Sequence, residues 1–159
     1  MAMIQLAQLV VFGLDAQRYA LPLASVERIV RAVETTLLPK APAIVLGAIN
    51  VAGRVLPVLS LRRRFGLPER EISPVDQFLI ATMTRRTVAL VVDEAQGVIE
   101  YPATEIIRPT QFVPGLDQLQ GVVRLDDGLV LIQDLEKCLS LDEASALDEA
   151  MNREASHGT

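Results

Sequence analysis

Gly47-Ala48-Ile49-Asn50-Val51-Ala52-Gly53-Arg54-Val55-Leu56-Pro57-Val58-Leu59-Ser60-Leu61 decides the fold, because the chain carries the pattern twice. The stretch lies without a gap over Gly121-Val122-Val123-Arg124-Leu125-Asp126-Asp127-Gly128-Leu129-Val130-Leu131-Ile132-Gln133-Asp134-Leu135. Each copy opens at a glycine, runs through an apolar strand, turns at a second glycine and enters another apolar strand. Each then stops at a small oxygen-bearing side chain before leucine. Two similar β-rich lobes follow from this. Neither copy holds the makings of a catalytic apparatus, so what repeats is framework, and a repeated framework without chemistry points to binding.

Within the first copy, Ala48–Val51 and Arg54–Leu59 flank Ala52-Gly53, and Gly53 supplies the positive φ of a tight turn. Pro57 cannot donate to a ladder and so argues for an edge or a bulge. Ser60 reads as the N-cap of a short helix Leu61–Phe65 that stops at Gly66. In the second copy Val122–Leu125 and Leu129–Gln133 flank Asp126-Asp127-Gly128, and Asp134 caps a short helix Leu135–Leu139. Upstream, strands are expected at Leu6–Phe12, Arg18–Leu23 and Glu27–Val33, with short helical turns at Leu23–Val26 and Ala43–Leu46. Leu67–Val75, with Pro68 and Pro74, reads as a hinge-like loop. Phe78–Met83 and Thr87–Val92 follow as strands, then a helical turn Asp93–Gln96 closed by Gly97, a strand Val98–Tyr101, and a loop-rich crossover over Ala103–Gln118. Ser140-x-x-Glu143 is a capping box, and the stripe Leu141, Ala144, Leu147, Met151 predicts a helix over 141–152 that frays beyond.

The domain expected is 1–140, with a first lobe over about 14–72 and a second over about 76–140; the N-terminal strand is a candidate to complete the second. Residues 141–159 form an acidic helix and tail.

Composition narrows the function. Half of the 159 residues are apolar but aromatics are 4% with no Trp, so the core must be aliphatic. The net charge of −5 sits mostly in residues 141–159, which hold five acids against one base. The body is close to neutral, and with pI 4.9 and few aromatics a nucleic-acid module is disfavoured. The single cysteine, Cys138, excludes an internal disulfide and suits a reducing cytosol, where its default role is a small buried hydrophobe. The N-terminus lacks a cationic start and a cleavage site, which argues against a signal peptide. The apolar runs are broken before the roughly 20 residues a bilayer span needs.

Candidates for chemistry are few. His157 is the only histidine and stands three residues from the end, without partners for a triad or a metal. The adjacent carboxylates of Asp93-Glu94 and Asp126-Asp127 suit capping better than acid/base work. No phosphate loop, nucleophile elbow or zinc motif occurs. No catalytic residue, cofactor or metal is therefore assigned, and the expectation is a non-enzyme. Arg62-Arg63-Arg64 is the densest positive run: either a solvated face with at least one arginine turned on the lobe's own acids, or a grip for a partner. Arg85-Arg86 reads as a hairpin tip.

The segment Gly47–Gly66 resembles the signature hairpin of the bacterial chemotaxis coupling proteins of the CheW family. Tyr19-Ala20-Leu21-Pro22-Leu23 with Val26-Glu27 is similar to that family's early strand-turn-strand. Ala89-Leu90-Val91-Val92-Asp93-Glu94 and Asp126-Asp127-Gly128-Leu129-Val130-Leu131-Ile132 are similar to its second half.

The resemblance implies an all-β fold of two five-stranded, SH3-like barrels packed around a shared core, with short helical turns and a C-terminal helix. It implies a non-catalytic adaptor that docks beside the regulatory domain of a CheA-type histidine kinase and binds the cytoplasmic tip of chemoreceptors. The protein would be cytoplasmic and recruited to membrane-associated arrays, with no membrane insertion and no nucleic acid. The alternative is a small β-barrel ligand-binding module of an unrelated pathway. A kinase fragment bearing the same domain is a nearer rival, but the chain shows no phosphoacceptor or ATP-binding segment, which favours a stand-alone adaptor.

Motif position places the receptor groove at Val26, Glu27, Gly47, Asn50, Val51, Gly53 and Arg54. The kinase-facing surface falls at Gly115 and Leu116 with Arg62, Arg63 and Arg64 as a rim. Charge reversal at Glu27, or Gly47→Trp, is expected to abolish receptor recruitment with the fold intact. Two departures from the family stand out. Ala52 replaces an arginine that in the family pairs with an acid at the position of Glu27; with Gly53 breaking the alternation, Arg54 is not expected to restore that pair. Ser60 replaces a common aspartate, a mild change because both cap helices.

Overall fold

The computed structural model describes residues 3–108 and 119–157, with side chains through Arg153. Ten strands alternate with short helical turns: β1 Leu6–Leu14, β2 Gln17–Pro22, β3 Val26–Arg31, β4 Val45–Val51, β5 Arg54–Leu59, β6 Gln77–Thr82, β7 Thr87–Val92, β8 Glu94–Pro102, β9 Leu119–Leu125 and β10 Gly128–Gln133. Helix α1 is Leu61–Phe65 and α2 is Leu141–His157. The strands build two five-stranded sheets, β8-β1-β2-β10-β9 (sheet A) and β3-β6-β7-β5-β4 (sheet B). The all-β architecture with its two five-stranded units is the one expected, although the sheets remain open rather than closed barrels.

Sheet membership departs from a division of the chain into lobes at 14–72 and 76–140. β1 and β2 pair with β8, β9 and β10, whereas β6 and β7 pair with β3, β4 and β5. Each half of the sequence therefore gives two strands to one sheet and three to the other. The two sheets have the same plan: β6, β7, β3, β4 and β5 of one occupy the places of β1, β2, β8, β9 and β10 in the other. Even the one parallel contact recurs, β5 with β7 and β10 with β2. The halves interlock, and residues 66–76 join them.

Alternation explains why strands so uniformly apolar belong at the centre, since successive side chains point to opposite faces. Leu9 and Val11 of β1 fill the interior of sheet A with Ala20, Val123, Val130 and Ile132. Phe12 and Leu14 of the same strand face the core between the sheets. In sheet B, Phe78 and Ile80 pack inward with Ile49, Leu56, Val58 and Ala89, while Leu79, Leu90 and Val92 join the shared core. α2 covers that core with Leu147 and Ala150, both fully buried.

Local details correct several expectations. Asp93–Gln96 is no helical turn: β8 begins at Glu94, and the chain absorbs the extra residue as a bulge where the register steps from Val11↔Gly97 to Phe12↔Ala95. Gly97 takes a φ of 103° there. The turn at Ala43 runs straight into β4, so no helical turn extends to Leu46. Of the edge or bulge expected at Pro57, the edge is absent, since β5 is an inner strand, but the ladder does shift register beside it, between Val45 and Gly47 of β4. Pro57 is tolerated because β7 pairs only with Val58 and Leu59. Its partner Ala48 turns both polar backbone groups away from β5 toward Thr36, so no bond to the Pro57 nitrogen is lost. α2 runs past 152 to His157, and Leu141 at its start is 84% exposed; Leu147 and Ala150, not Leu141, anchor the helix.

Candidate functional site

The β4–β5 turn is held from within. Asn50 Oδ1 accepts from the Gly53 N–H at 2.9 Å, and Ala52 and Gly53 both take positive φ, 52° and 83°. This geometry sends Arg54 back toward the start of β3. Its Nη1 donates to both oxygens of Glu27, at 3.1 and 3.3 Å. Glu27 is therefore paired despite Ala52, against expectation, by Arg54 from two residues on. The left-handed Ala52 and Gly53 are what let it reach.

The pair is exposed, with side chains 48% and 36% accessible. Val26 and Val51 lie half-buried near its two ends on β3 and β4. Ile29 on β3 and Val55 on β5 stand exposed on the same strands. Of these only Val51, opposite Arg54 in the β4–β5 register, shares its face; an open charged pair beside it is a surface that a partner can desolvate.

Gly47, the third feature of the expected groove, acts differently. It is buried, and a Cβ on it would lie 2.5 Å from the Thr36 carbonyl oxygen. The glycine lets residues 35–37 cross β4, where Thr36 and Ala48 exchange N–H···O bonds of 2.9 and 2.7 Å. Gly47→Trp would strike this bridge, so it cannot report on recruitment with the fold intact. The second copy repeats the device: Ile107 and Val122 exchange bonds of 3.0 and 2.9 Å beside Gly121.

The arginine run is spent on the chain's own acids. Arg62 is 9% exposed and its Nη2 reaches Asp15 at 2.7 Å and both Asp93 oxygens at 2.9 Å, while Nη1 donates to the Pro68 carbonyl at 3.0 Å. Arg63 bonds Glu69 and the Ala43 carbonyl and is the exposed member of the run. Arg64 clasps Glu143 of the capping box at 2.6 and 2.7 Å. Arg85 and Arg86 hold Asp148, so the β6–β7 turn is tied to α2. Gly115 and Leu116 lie outside the described residues.

The carboxylates are turned to structure. Partial burial pushes the Asp93 carboxyl up, but the Asp15 N–H at 2.7 Å, Arg62 and Arg70 outweigh it and hold it below the usual range. Asp127 is lowered by its hydrogen bond to Arg18 at 2.7 Å. A cleft of about 420 Å³ lies between α1 and residues 69–76, lined by Thr35, Arg62, Arg63, Arg70, Glu71 and Asp76. Its charged groups largely satisfy one another. Asp76, 2% exposed, takes two bonds from Arg70 and one from the Ser73 N–H. Cys138 is buried and its thiol is pushed up to about 11 by desolvation. Among the described residues no cluster of His, Cys, Asp and Glu is arranged to hold a metal, and no helix is long and apolar enough to cross a membrane.

An interlocked pair of five-stranded sheets with capped hairpins and an exposed ionic hairpin face defines a class. Residues 8–143 match the family model of the CheW-like domain, and the chain belongs to that family. It is 27% identical over 146 residues to the chemotaxis protein CheW of Treponema pallidum, spanning 88% of this chain and 86% of that protein. It is 33% identical over 99 residues to the CheW of Bacillus subtilis, 62% of this chain and 64% of that one. Protein FrzA of Myxococcus xanthus is 29% identical over 98 residues, covering 62% and 61% of the two chains. Among solved structures, the scaffolding protein TtCheW of Thermoanaerobacter tengcongensis superposes with a TM-score of 0.78 at 27% identity, covering 89% of this chain and 96% of that one.

Proposed function

We propose that this protein is a signalling adaptor without chemistry of its own, joining a CheA-type histidine kinase to the cytoplasmic tips of chemoreceptors. The observation that carries the reading is the Glu27–Arg54 pair, held open on the β3 and β4–β5 face of a CheW-family chain. Exposed ion pairs add at most about 1 kcal/mol to folding, so this one is free to serve recognition. Val51, opposite Arg54 in the β4–β5 register, shares its face; Asn50 and Gly53 hold the turn, Val26 precedes Glu27 on β3, and Gly47 lies farther along β4. For the kinase-facing side, Arg63 is the exposed member of the run, its charge shared with Glu69.

The test is a swap of the two charges. Glu27→Arg and Arg54→Glu, each alone, should weaken binding of a cognate receptor signalling fragment by about tenfold or more, and the double variant should recover part of it. Titration calorimetry reads this, with the kinase regulatory domain as a second ligand whose binding stays unchanged. Wild-type receptor affinity in both single variants would reject the groove.

A further inference from the structure

Among the hydrogen bonds that join the sheets, which include the Ala95 N–H to Gln77 Oε1 at 2.7 Å, two are clamps that the sequence repeat relates. In the first half, α1 follows the β4–β5 hairpin of sheet B and its Arg62 reaches Asp15 in the β1–β2 turn of sheet A at 2.7 Å. In the second half, the helical turn Leu135–Cys138 follows the β9–β10 hairpin of sheet A. Its Glu136 accepts from the N–H and hydroxyl of Thr84, in the β6–β7 turn of sheet B, at 2.6 and 2.9 Å. Arg62 and Glu136 are aligned residues of the two copies, two places after Ser60 and Asp134. The clamps thus have the same topology and opposite charge.

They are unequal in reach. Glu136 makes a local contact with one exposed turn. Arg62 reaches three separate segments: Asp15 in the first hairpin of sheet A, Asp93 at the crossover from β7 to β8, and the Pro68 carbonyl in the connection between halves. Arg70 of that connection joins the same Asp93 at 2.6 Å, and Asp93 also takes the Asp15 N–H. Apolar burial between the sheets is strong but without direction. A planar guanidinium whose Nη2 meets two carboxylates while Nη1 meets a carbonyl is directional, and adds an angular constraint to the close-packed aliphatic contact.

We propose that Arg62 is a positioning residue that sets the mutual orientation of the two sheets, so that a partner held on sheet B constrains a partner held on sheet A. The orienting role stands on geometry alone; its consequence for partners rests on the adaptor reading above. Within that reading Arg62 acts from inside the molecule, and a kinase need not touch it.

The experiment uses the full chain. In wild type, residual dipolar couplings from the amides of both sheets should fit one alignment tensor. In Arg62→Ala, sheets A and B should each keep their own fit but require tensors rotated relative to each other. Arg62→Lys should fall on the same side, because it keeps the charge and loses the fork. Glu136→Gln, the equivalent position in the other copy, should leave the single tensor intact. If Arg62→Ala does not fold, Asp15→Asn, which removes the cross-sheet charge and keeps the Asp93 pair, takes its place. A single tensor for the folded Arg62 or Asp15 variants overturns the proposal, because a purely stabilising residue would lower the melting temperature and leave the orientation alone.

The functional arm measures binding of the kinase regulatory domain with and without saturating receptor fragment. Wild type should show mutual strengthening of about fivefold or more, and Arg62→Ala should lose it while each partner alone binds within about threefold of wild type. Intact coupling in a variant with rotated tensors overturns the transmission claim. Failure of wild type to bind either partner removes the adaptor reading instead, and the dipolar couplings still decide the orienting role.

Discussion

Gly47 and Gly121 show how much one missing Cβ arranges. At both positions a neighbouring segment crosses the strand within contact of the backbone. A Cβ would meet Thr36 O at 2.5 Å in one case and the Ile106 Cγ2 at 2.5 Å in the other. Gly121 has an ordinary φ, so its requirement is purely one of space, whereas Gly53 has open space and a φ of 83°, a requirement purely of conformation. Alanine at 47 or 121 should therefore cost about 1–3 kcal/mol and alanine at 53 about 1 kcal/mol, read from urea unfolding midpoints. Equal, negligible losses at 47 and 121 would mean the bridging segments shift aside freely. Cys138 offers a second residue-scale check. With its thiol pushed up to about 11, on the order of a thousandth is ionised near pH 8. Alkylation of the native chain, followed by mass spectrometry, should be far slower than after denaturation, and rapid native labelling would contradict its burial.

At the scale of elements, caps and stops follow the sequence closely, because they depend on near neighbours. Ser60 Oγ accepts from the Arg63 N–H at 3.2 Å and Gly66 ends α1 with a φ of 71°. Asp134 does the same for the helical turn after β10, taking the Glu136 N–H at 3.1 Å. Ser140 and Glu143 close the capping box that starts α2. What the periodic stripe on α2 could not say is which of its apolar residues meets the core. Leu147→Ala should destabilise by about 2–5 kcal/mol and Leu141→Ala by less than about 0.5 kcal/mol, measured by thermal or urea unfolding. A large loss at Leu141 would mean that the start of α2 packs more closely than its 84% exposure indicates.

For the molecule as a whole, the ionic ties between sheets, linker and α2 set a pH dependence. Asp93 and Glu143 titrate below their ordinary ranges: burial raises each, but the Asp15 N–H with Arg62 and Arg70 lowers Asp93 further, and the Ser140 N–H with Arg64 does so for Glu143. The unfolded chain binds those protons first, so the stability they give is complete above about pH 5 and is lost as pH falls through their lowered native values. Denaturant midpoints should drop steeply below about pH 4, and Asp93→Asn should start lower and flatten that limb. A limb of unchanged slope in the variant would show that Asp93 is not one of the groups responsible.

The sequence alone carried what is local or repeated: the two hairpins, their caps, the glycines, the acidic terminal helix and the resemblance that names the family. Hydrogen bonds within a few residues and alternation along a strand are written in adjacent letters. It did not carry the interlocking. β1, β6 and β7 are largely apolar on both faces, as is β2 beyond Arg18, so nothing in their pattern prefers one sheet over the other, and packing across the chain made that choice. The same holds for Arg62 and Arg54. Each had several acids within reach, and only the folded chain, with Ala52 and Gly53 left-handed and Asp15 brought beside Asp93, decided which carboxylate each arginine met.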